Sequence, residues 1–74
     1  MDNNKLKAIR LYLGLSQTEF AAHFGLSLSV VAMNEAGHRK VSDNTASKIA
    51  KKFRATDDFI EFLENKQRLS EEPK

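Results

Sequence analysis

The sequence predicts an all-α fold, a compact bundle of five helices in a single domain. Apolar residues repeat at intervals of three and four, which is the spacing of one buried helix face. Residues that favour helix N-caps precede each of these segments, and three of the segments end close to a glycine. With 74 residues, the chain is long enough for one small core.

The first predicted helix runs from about Lys5 to Leu13, with Asn3 or Asn4 as its N-cap. Gly14 follows its end, at the position that favours a positive φ. Its spacing predicts one buried stripe, formed by Leu6, Ile9, Tyr12 and Leu13.

The second and third helices are short and lie close together in the sequence. Residues 17–24 follow Ser16, which forms a capping box with Glu19. Ser27 is the expected N-cap of the next helix, over residues 28–35. The inner face of the second helix is expected to comprise Phe20, Ala21 and Phe24.

Two further helices complete the prediction. Ser42 is the expected cap of residues 43–53, and Thr56 caps a fifth helix that opens with Asp57 and Asp58, where carboxylates favour the helix dipole. The residues expected to face inward are Ala46, Ile49, Ala50 and Phe53 in the fourth helix, and Phe59, Ile60, Phe62 and Leu63 in the fifth.

Charge is divided unevenly along the chain. Residues 1–56 hold nine Lys or Arg against four Asp or Glu, whereas residues 57–74 hold three against six. A basic body suits a polyanionic partner, although uneven charge on an ordinary solvated surface explains it as well. We expect residues 1–66 to form the domain and the polar residues 67–74 to form a flexible tail.

Several function classes find no support in the sequence. The chain has no cysteine, and its two histidines do not make a metal site, so no metal or cofactor is expected. No arrangement of acid, base and nucleophile indicates an enzyme. The sequence shows no membrane span or signal peptide, and we expect a cytoplasmic protein.

The segment from Ser16 to Gly37 carries the main functional indication. Two helices that cross steeply need a small residue at their contact, here Ala21, and a positive-φ residue at the corner, here Gly25. Val31 would fix the second of these helices to the core. The outer face of this second helix would then be turned to solvent, and a helix presented in this way fits a DNA major groove.

These residues carry a resemblance to a known family. The segments Leu13–Ala21, Phe24–Ser27 and Glu35–Arg39 resemble the Cro/phage-repressor helix-turn-helix family, and the match covers about residues 5–64. The resemblance implies a lambda-repressor-like DNA-binding domain with the third helix as recognition helix. It implies that Gln17 contacts phosphate, as does the loop of His38, Arg39 and Lys40. Positions 27, 28, 29, 32 and 33 would face base edges.

The chain departs from the family pattern at informative positions. Asn34 stands where a large apolar residue is usual, Ala36 where Asn is usual, and Arg54 where Gly is usual. Side chains that read bases are mostly bidentate donors and acceptors such as Arg, Gln and Asn. The candidate reading helix has none of these at its base-facing positions, and the candidate partner- or DNA-reading residues are Ser27, Leu28, Ser29, Val30, Ala32 and Met33.

An apolar helix surface of this kind is typical of a site that binds another protein. We therefore predict a small antirepressor of a temperate-phage switch, which binds the DNA-reading domain of a partner repressor through its third helix. The acidic C-terminal end would complement a basic surface of that repressor. In a less exposed arrangement, Val30 and Met33 would instead face the core.

The alternative is a Cro-like repressor that binds operator DNA directly, alone or in a heteromeric complex. Gln17, Ser27, Ser29 and the loop cations would hold the backbone, while Leu28 and Met33 contact thymine methyl groups. Further phosphate contacts would come from Lys5, Lys7, Arg10, Lys48, Lys51 and Lys52. The three lysines of the fourth helix are equally well explained as its solvated face.

Overall fold

The computed structural model describes the backbone of residues 1–71 and the side chains of residues 1–65. It confirms the all-α, five-helix fold, and residues 1–71 contain no strand. The helices are α1 (Asn3–Leu13), α2 (Gln17–Phe24), α3 (Leu28–Glu35), α4 (Asp43–Lys52) and α5 (Asp57–Glu71).

Two predicted helix boundaries change, and one helix continues past the predicted end of the domain. The helix α1 begins at Asn3, because Asp2 is its cap and accepts a hydrogen bond from the backbone N–H of Lys5 at 2.7 Å. The helix α4 ends at Lys52, because Phe53 has an extended backbone. The helix α5 continues past the predicted domain boundary at residue 66 to Glu71. That boundary and the flexibility of the tail stay predictions, and residues 72–74 lie outside the described residues.

The start of α2 is fixed by local hydrogen bonds. The Ser16 hydroxyl accepts from the backbone N–H of Glu19 at 3.1 Å, and the Glu19 carboxylate accepts from the backbone N–H of Ser16 at 2.9 Å. Both hydrogen bonds satisfy N–H groups that have no partner inside the helix. The predicted capping box is therefore confirmed.

The core lies where the five helices meet, and α1 is central to it. The helix α1 packs on α3 and α5, while α2 packs on α3 and α4. Tyr12 of α1 contacts Phe59 of α5 edge-to-face, with ring centroids 5.2 Å apart. The buried apolar residues are Leu6, Ala8, Ile9, Phe20, Ala21, Phe24, Val31, Ile49 and Phe59.

Some predicted inward positions are wrong. Leu13 and Ile60 are 37% and 46% exposed, and Ala50 is exposed. Ala8 and Thr45 are buried instead, at 2% and 5% exposure. Helical spacing identifies which residues share a face, but burial depends on which face a neighbouring helix covers, and that is decided by the packing of the whole bundle.

Candidate functional site

The turn between α2 and α3 has the geometry that the sequence indicated. Gly25 ends α2 with a φ of 68°, in the left-handed region that other residues adopt only with strain. The backbone N–H of Leu26 then donates to the carbonyl of Ala21 at 2.8 Å, and Ser27 caps α3 by accepting from the N–H of Val30 at 3.1 Å. These contacts hold α2 and α3 at a fixed angle.

One side of α3 is buried and the other faces solvent. Val31 and Asn34 are the buried residues of α3, at 0% and 1% exposure. We use the term α3 surface for the six residues of the turn and helix that the sequence singled out, which are Ser27, Leu28, Ser29, Val30, Ala32 and Met33. The described structure thus brings all six onto one helix and its cap.

The α3 surface is largely exposed and carries no charge. Leu28 and Met33 are 47% and 42% exposed, and both serines are exposed. Val30 and Ala32 are half-buried. In the less exposed arrangement expected as an alternative, Val30 and Met33 would both face the core. In the structure, Met33 faces solvent and Val30 is only partly covered. The α3 surface therefore offers apolar contact and few hydrogen bonds.

The candidate phosphate contact at Gln17 is engaged elsewhere in the protein. Gln17 is half-buried, and its amide Nε2 donates to Glu35 Oε1 at 3.3 Å. Glu35 lies at the C-terminal end of α3. Gln17 therefore joins α2 to α3, and one N–H of its amide remains to donate to a phosphate.

Arg10 is also engaged. Its guanidinium donates to the two oxygens of Glu35 at 2.6 and 2.9 Å, and to the carbonyl of Leu15 at 3.0 Å. Its side chain is 14% exposed. This geometry disfavours the predicted phosphate contact of Arg10, because three of its N–H groups already bond within the protein and little of its side chain is exposed.

Glu35 is held as a carboxylate at this junction. Burial opposes its ionisation, but hydrogen bonds from Arg10 and Gln17, with the charges of Arg10 and Lys7, lower its pKa below the ordinary value. A carboxylate with hydrogen bonds from α1 and α2 orients the end of α3 relative to both helices.

The loop after α3 presents three exposed residues, His38, Arg39 and Lys40. Its backbone is fixed by two asparagines. Asn34 Nδ2 donates to the carbonyls of Arg39 and Lys40 at 3.0 and 3.3 Å, and Asn3 Nδ2 donates to the carbonyl of Arg39 at 2.8 Å. The loop cations therefore project from an ordered backbone beside α3.

The comparisons with known proteins agree with this geometry. The family model described as Helix-turn-helix matches residues 6–60, which is most of the chain. The chain belongs to the helix-turn-helix family. This is a fold of DNA-binding transcriptional regulators and is generally non-enzymatic. No curated protein and no solved structure matches the chain.

Two lysines of this helix-turn-helix protein support the end of α2. Lys48 Nζ donates to the carbonyl of Gly25 at 3.2 Å, and Lys52 Nζ donates to the carbonyl of His23 at 2.8 Å. Both carbonyls lie at the C-terminal end of α2, where a cation is favoured by the helix dipole. Lys48 is half-buried, whereas Lys51 and Lys52 are exposed. The α4 lysines are thus not simply a solvated face.

Sequence reasoning missed the roles of Asn3, Asn34 and Glu35. The one available signal was a polar residue, Asn34, at a position that the family usually fills with a large apolar side chain. Its buried amide acts as a donor to the loop, while its Oδ1 atom has no hydrogen-bond partner. The partners of Asn3 and Glu35 lie between 18 and 36 positions away in the sequence, so spacing alone does not indicate them.

Metal-ligating clusters and membrane-spanning helices are both absent from the described residues. Within them, no group of three or more His, Cys, Asp or Glu residues lies close enough to hold a metal ion. No helix in the described part of the chain is both long and apolar enough to span a membrane.

Proposed function

We propose that this helix-turn-helix protein is an antirepressor of a temperate-phage genetic switch in the cytoplasm of the bacterial host. It binds the DNA-reading domain of a partner repressor through the α3 surface. The observation that carries this proposal is the exposure of Leu28 and Met33, at 47% and 42%, on a helix that exposes no Arg, Gln or Asn side chain.

The chemistry of the α3 surface favours a protein partner over DNA. Specific base readout depends on bidentate hydrogen bonds, and the α3 surface offers only the two serine hydroxyls, one of which already caps the helix. Apolar residues gain more from contact with another apolar surface, which removes both from water. Methionine also adapts its shape to a partner.

The state of the side chains that could contact phosphate also favours a protein partner over DNA. Gln17 bonds to Glu35, Arg10 is enclosed by its own hydrogen bonds, and Lys48 and Lys52 bond to the end of α2. On DNA, each of these side chains would have to divide its donors between a phosphate and its partner within the protein. A protein bound at the α3 surface requires no such change.

The experiment compares the wild-type protein with the double variant Leu28→Asp, Met33→Asp. The binding partner is the repressor encoded beside it, with a labelled duplex that carries the repressor's operator. Wild-type protein should release the repressor from the duplex, and the double variant should bind the repressor at least roughly 100-fold more weakly. The matched control is Ile60→Asp, since Ile60 is equally exposed on α5.

Circular dichroism and thermal unfolding check that the double variant folds, as expected for two exposed positions. Capture of the repressor by a folded double variant at wild-type affinity would contradict an interface at α3. A loss caused equally by Ile60→Asp would contradict it too, because the effect would not be specific to α3.

A Cro-like repressor is the second candidate function. The observation that favours it is the exposed and ordered loop of His38, Arg39 and Lys40, which is suited to phosphate. Here Leu28 and Met33 would contact thymine methyl groups. Tight, sequence-specific binding of the protein alone to the operator, with an affinity that falls steeply as salt rises, would support this function and contradict the first.

A further inference from the structure

The α3 surface continues into a cationic edge. Val30 lines a cleft of about 230 Å³ together with Asn34, Arg39 and Lys40, and the start of α4 forms the opposite wall. The backbone N–H of His38 donates to the carbonyl of Met33 at 3.0 Å, which brings the loop directly against the end of α3. Apolar and cationic groups therefore belong to one surface.

The charge of this edge is not neutralised nearby. Among residues 1–65, the one ion pair within 4.0 Å joins Arg10 to Glu35, and that carboxylate is the only charged group of α3. Asp43 is the acidic residue at the start of α4, and no carboxylate oxygen in this part of the chain lies within 4.0 Å of Arg39 or Lys40. The edge beside Val30 and Met33 is positive.

The acidic residues of the C-terminal end belong to a different helix. Asp57, Asp58, Glu61 and Glu64 lie on α5, which packs on α1, whereas α3 packs on α1 and α2. The carboxylates of α5 are thus not part of the edge formed by Arg39 and Lys40. What a partner meets at the α3 surface is an apolar centre with a positive border.

We propose that the partner surface bound by α3 is apolar at its centre and acidic along the edge that faces Arg39 and Lys40. This inference rests on the proposed function. Complementary charges orient a partner and raise the rate of association, whereas two positive edges repel each other. The α3 surface therefore binds a patch of the repressor's DNA-reading domain that has an apolar centre and an acidic edge.

The test measures whether the positive charges of Arg39 and Lys40 strengthen or weaken binding to the repressor. Affinity for the repressor is measured by calorimetry in low and in moderate salt, for wild type, for Arg39→Gln with Lys40→Gln, and for Arg39→Glu with Lys40→Glu. Rising salt should weaken wild-type binding. The neutral variant, Arg39→Gln with Lys40→Gln, should bind the repressor several-fold more weakly than wild type. The charge-reversed variant, Arg39→Glu with Lys40→Glu, should bind it about tenfold more weakly or worse. The control, Lys51→Glu with Arg54→Glu, makes the same change in net charge at other exposed positions.

The outcomes separate this inference from the proposed function. If Leu28→Asp with Met33→Asp abolishes repressor binding but reversal at Arg39 and Lys40 leaves it unchanged or tightens it, the proposed function stands and the acidic edge is wrong. If the apolar variant leaves repressor binding intact, both are wrong. The third outcome is that Arg39→Glu with Lys40→Glu weakens binding to a bare 20-base-pair operator duplex and not binding to the repressor. In that case the α3 surface binds DNA, and the inference is overturned.

Discussion

Arg10 and Glu35 are joined by two side-chain hydrogen bonds, from Nε to Oε2 at 2.6 Å and from Nη2 to Oε1 at 2.9 Å. They connect α1 to the C-terminal end of α3. Gln17 donates to the same carboxylate from α2. One carboxylate thus joins α3 to both α1 and α2.

Removal of this carboxylate is expected to destabilise the fold. Glu35→Ala leaves the Arg10 guanidinium without its partner in a site where its side chain is 14% exposed. We expect the free energy of unfolding to fall by about 2–3 kcal/mol. Urea unfolding measures this loss. Glu61→Ala, at an exposed position, should change stability by less than about 0.5 kcal/mol, and equal losses in the two variants would contradict the role of Glu35.

The same carboxylate predicts a dependence of stability on pH. Because the pKa of Glu35 is lower in the folded protein than in the unfolded chain, its contribution is complete above the unfolded pKa of about 4.3 and is lost as pH falls through the folded pKa. Wild type should therefore be more stable than Glu35→Gln near pH 7, and the difference should shrink below about pH 5. Thermal unfolding across this range measures it. A difference that stays constant down to pH 2 would contradict the assignment.

The turn between α2 and α3 is expected to tolerate Asn better than Ala at position 25. The positive φ of Gly25 strains a residue with a Cβ atom, although no heavy atom lies within 4 Å of a Cβ built there. Gly25→Ala should cost about 1–2 kcal/mol from backbone strain alone, and Gly25→Asn less, because Asn adopts this conformation more readily. Chemical denaturation compares the two. Equal stability of Gly25→Ala and wild type would show that the turn relaxes to a negative φ.

The contribution of Asn34 to stability is expected to come from its amide nitrogen as a hydrogen-bond donor rather than from the size of its side chain. Asn34→Asp keeps the shape but replaces the donor to the carbonyls of Arg39 and Lys40 with an acceptor, at a site that is 1% exposed. We expect it to cost about 3 kcal/mol or more. Urea unfolding at pH 7 measures this. The matched change Asn44→Asp, at an exposed position near the start of α4, should have little effect. Similar stability of the two variants would contradict a buried donor at position 34.

The helix boundaries were predictable where their causes are local. Ser16 and Glu19 are three residues apart, so a capping box between them is visible in the sequence, and α2 has the predicted bounds. The fold class and the helix-turn-helix family follow from several such local features together. The inward faces of α1 and α5 were predicted less well, because Leu13 and Ile60 have core-like spacing but no helix covers them fully.

The sequence by itself determined the five helices, the caps of α2, α3 and α4, the turn at Gly25 and the apolar character of α3, because each depends on residues within about one helical turn. Only the tertiary structure decided which polar side chains are free to bind a partner. Glu35 meets Arg10 and Gln17 across 25 and 18 positions, and Asn3 meets Arg39 across 36. Contacts over such separations are set by the packing of whole helices, which no local spacing encodes.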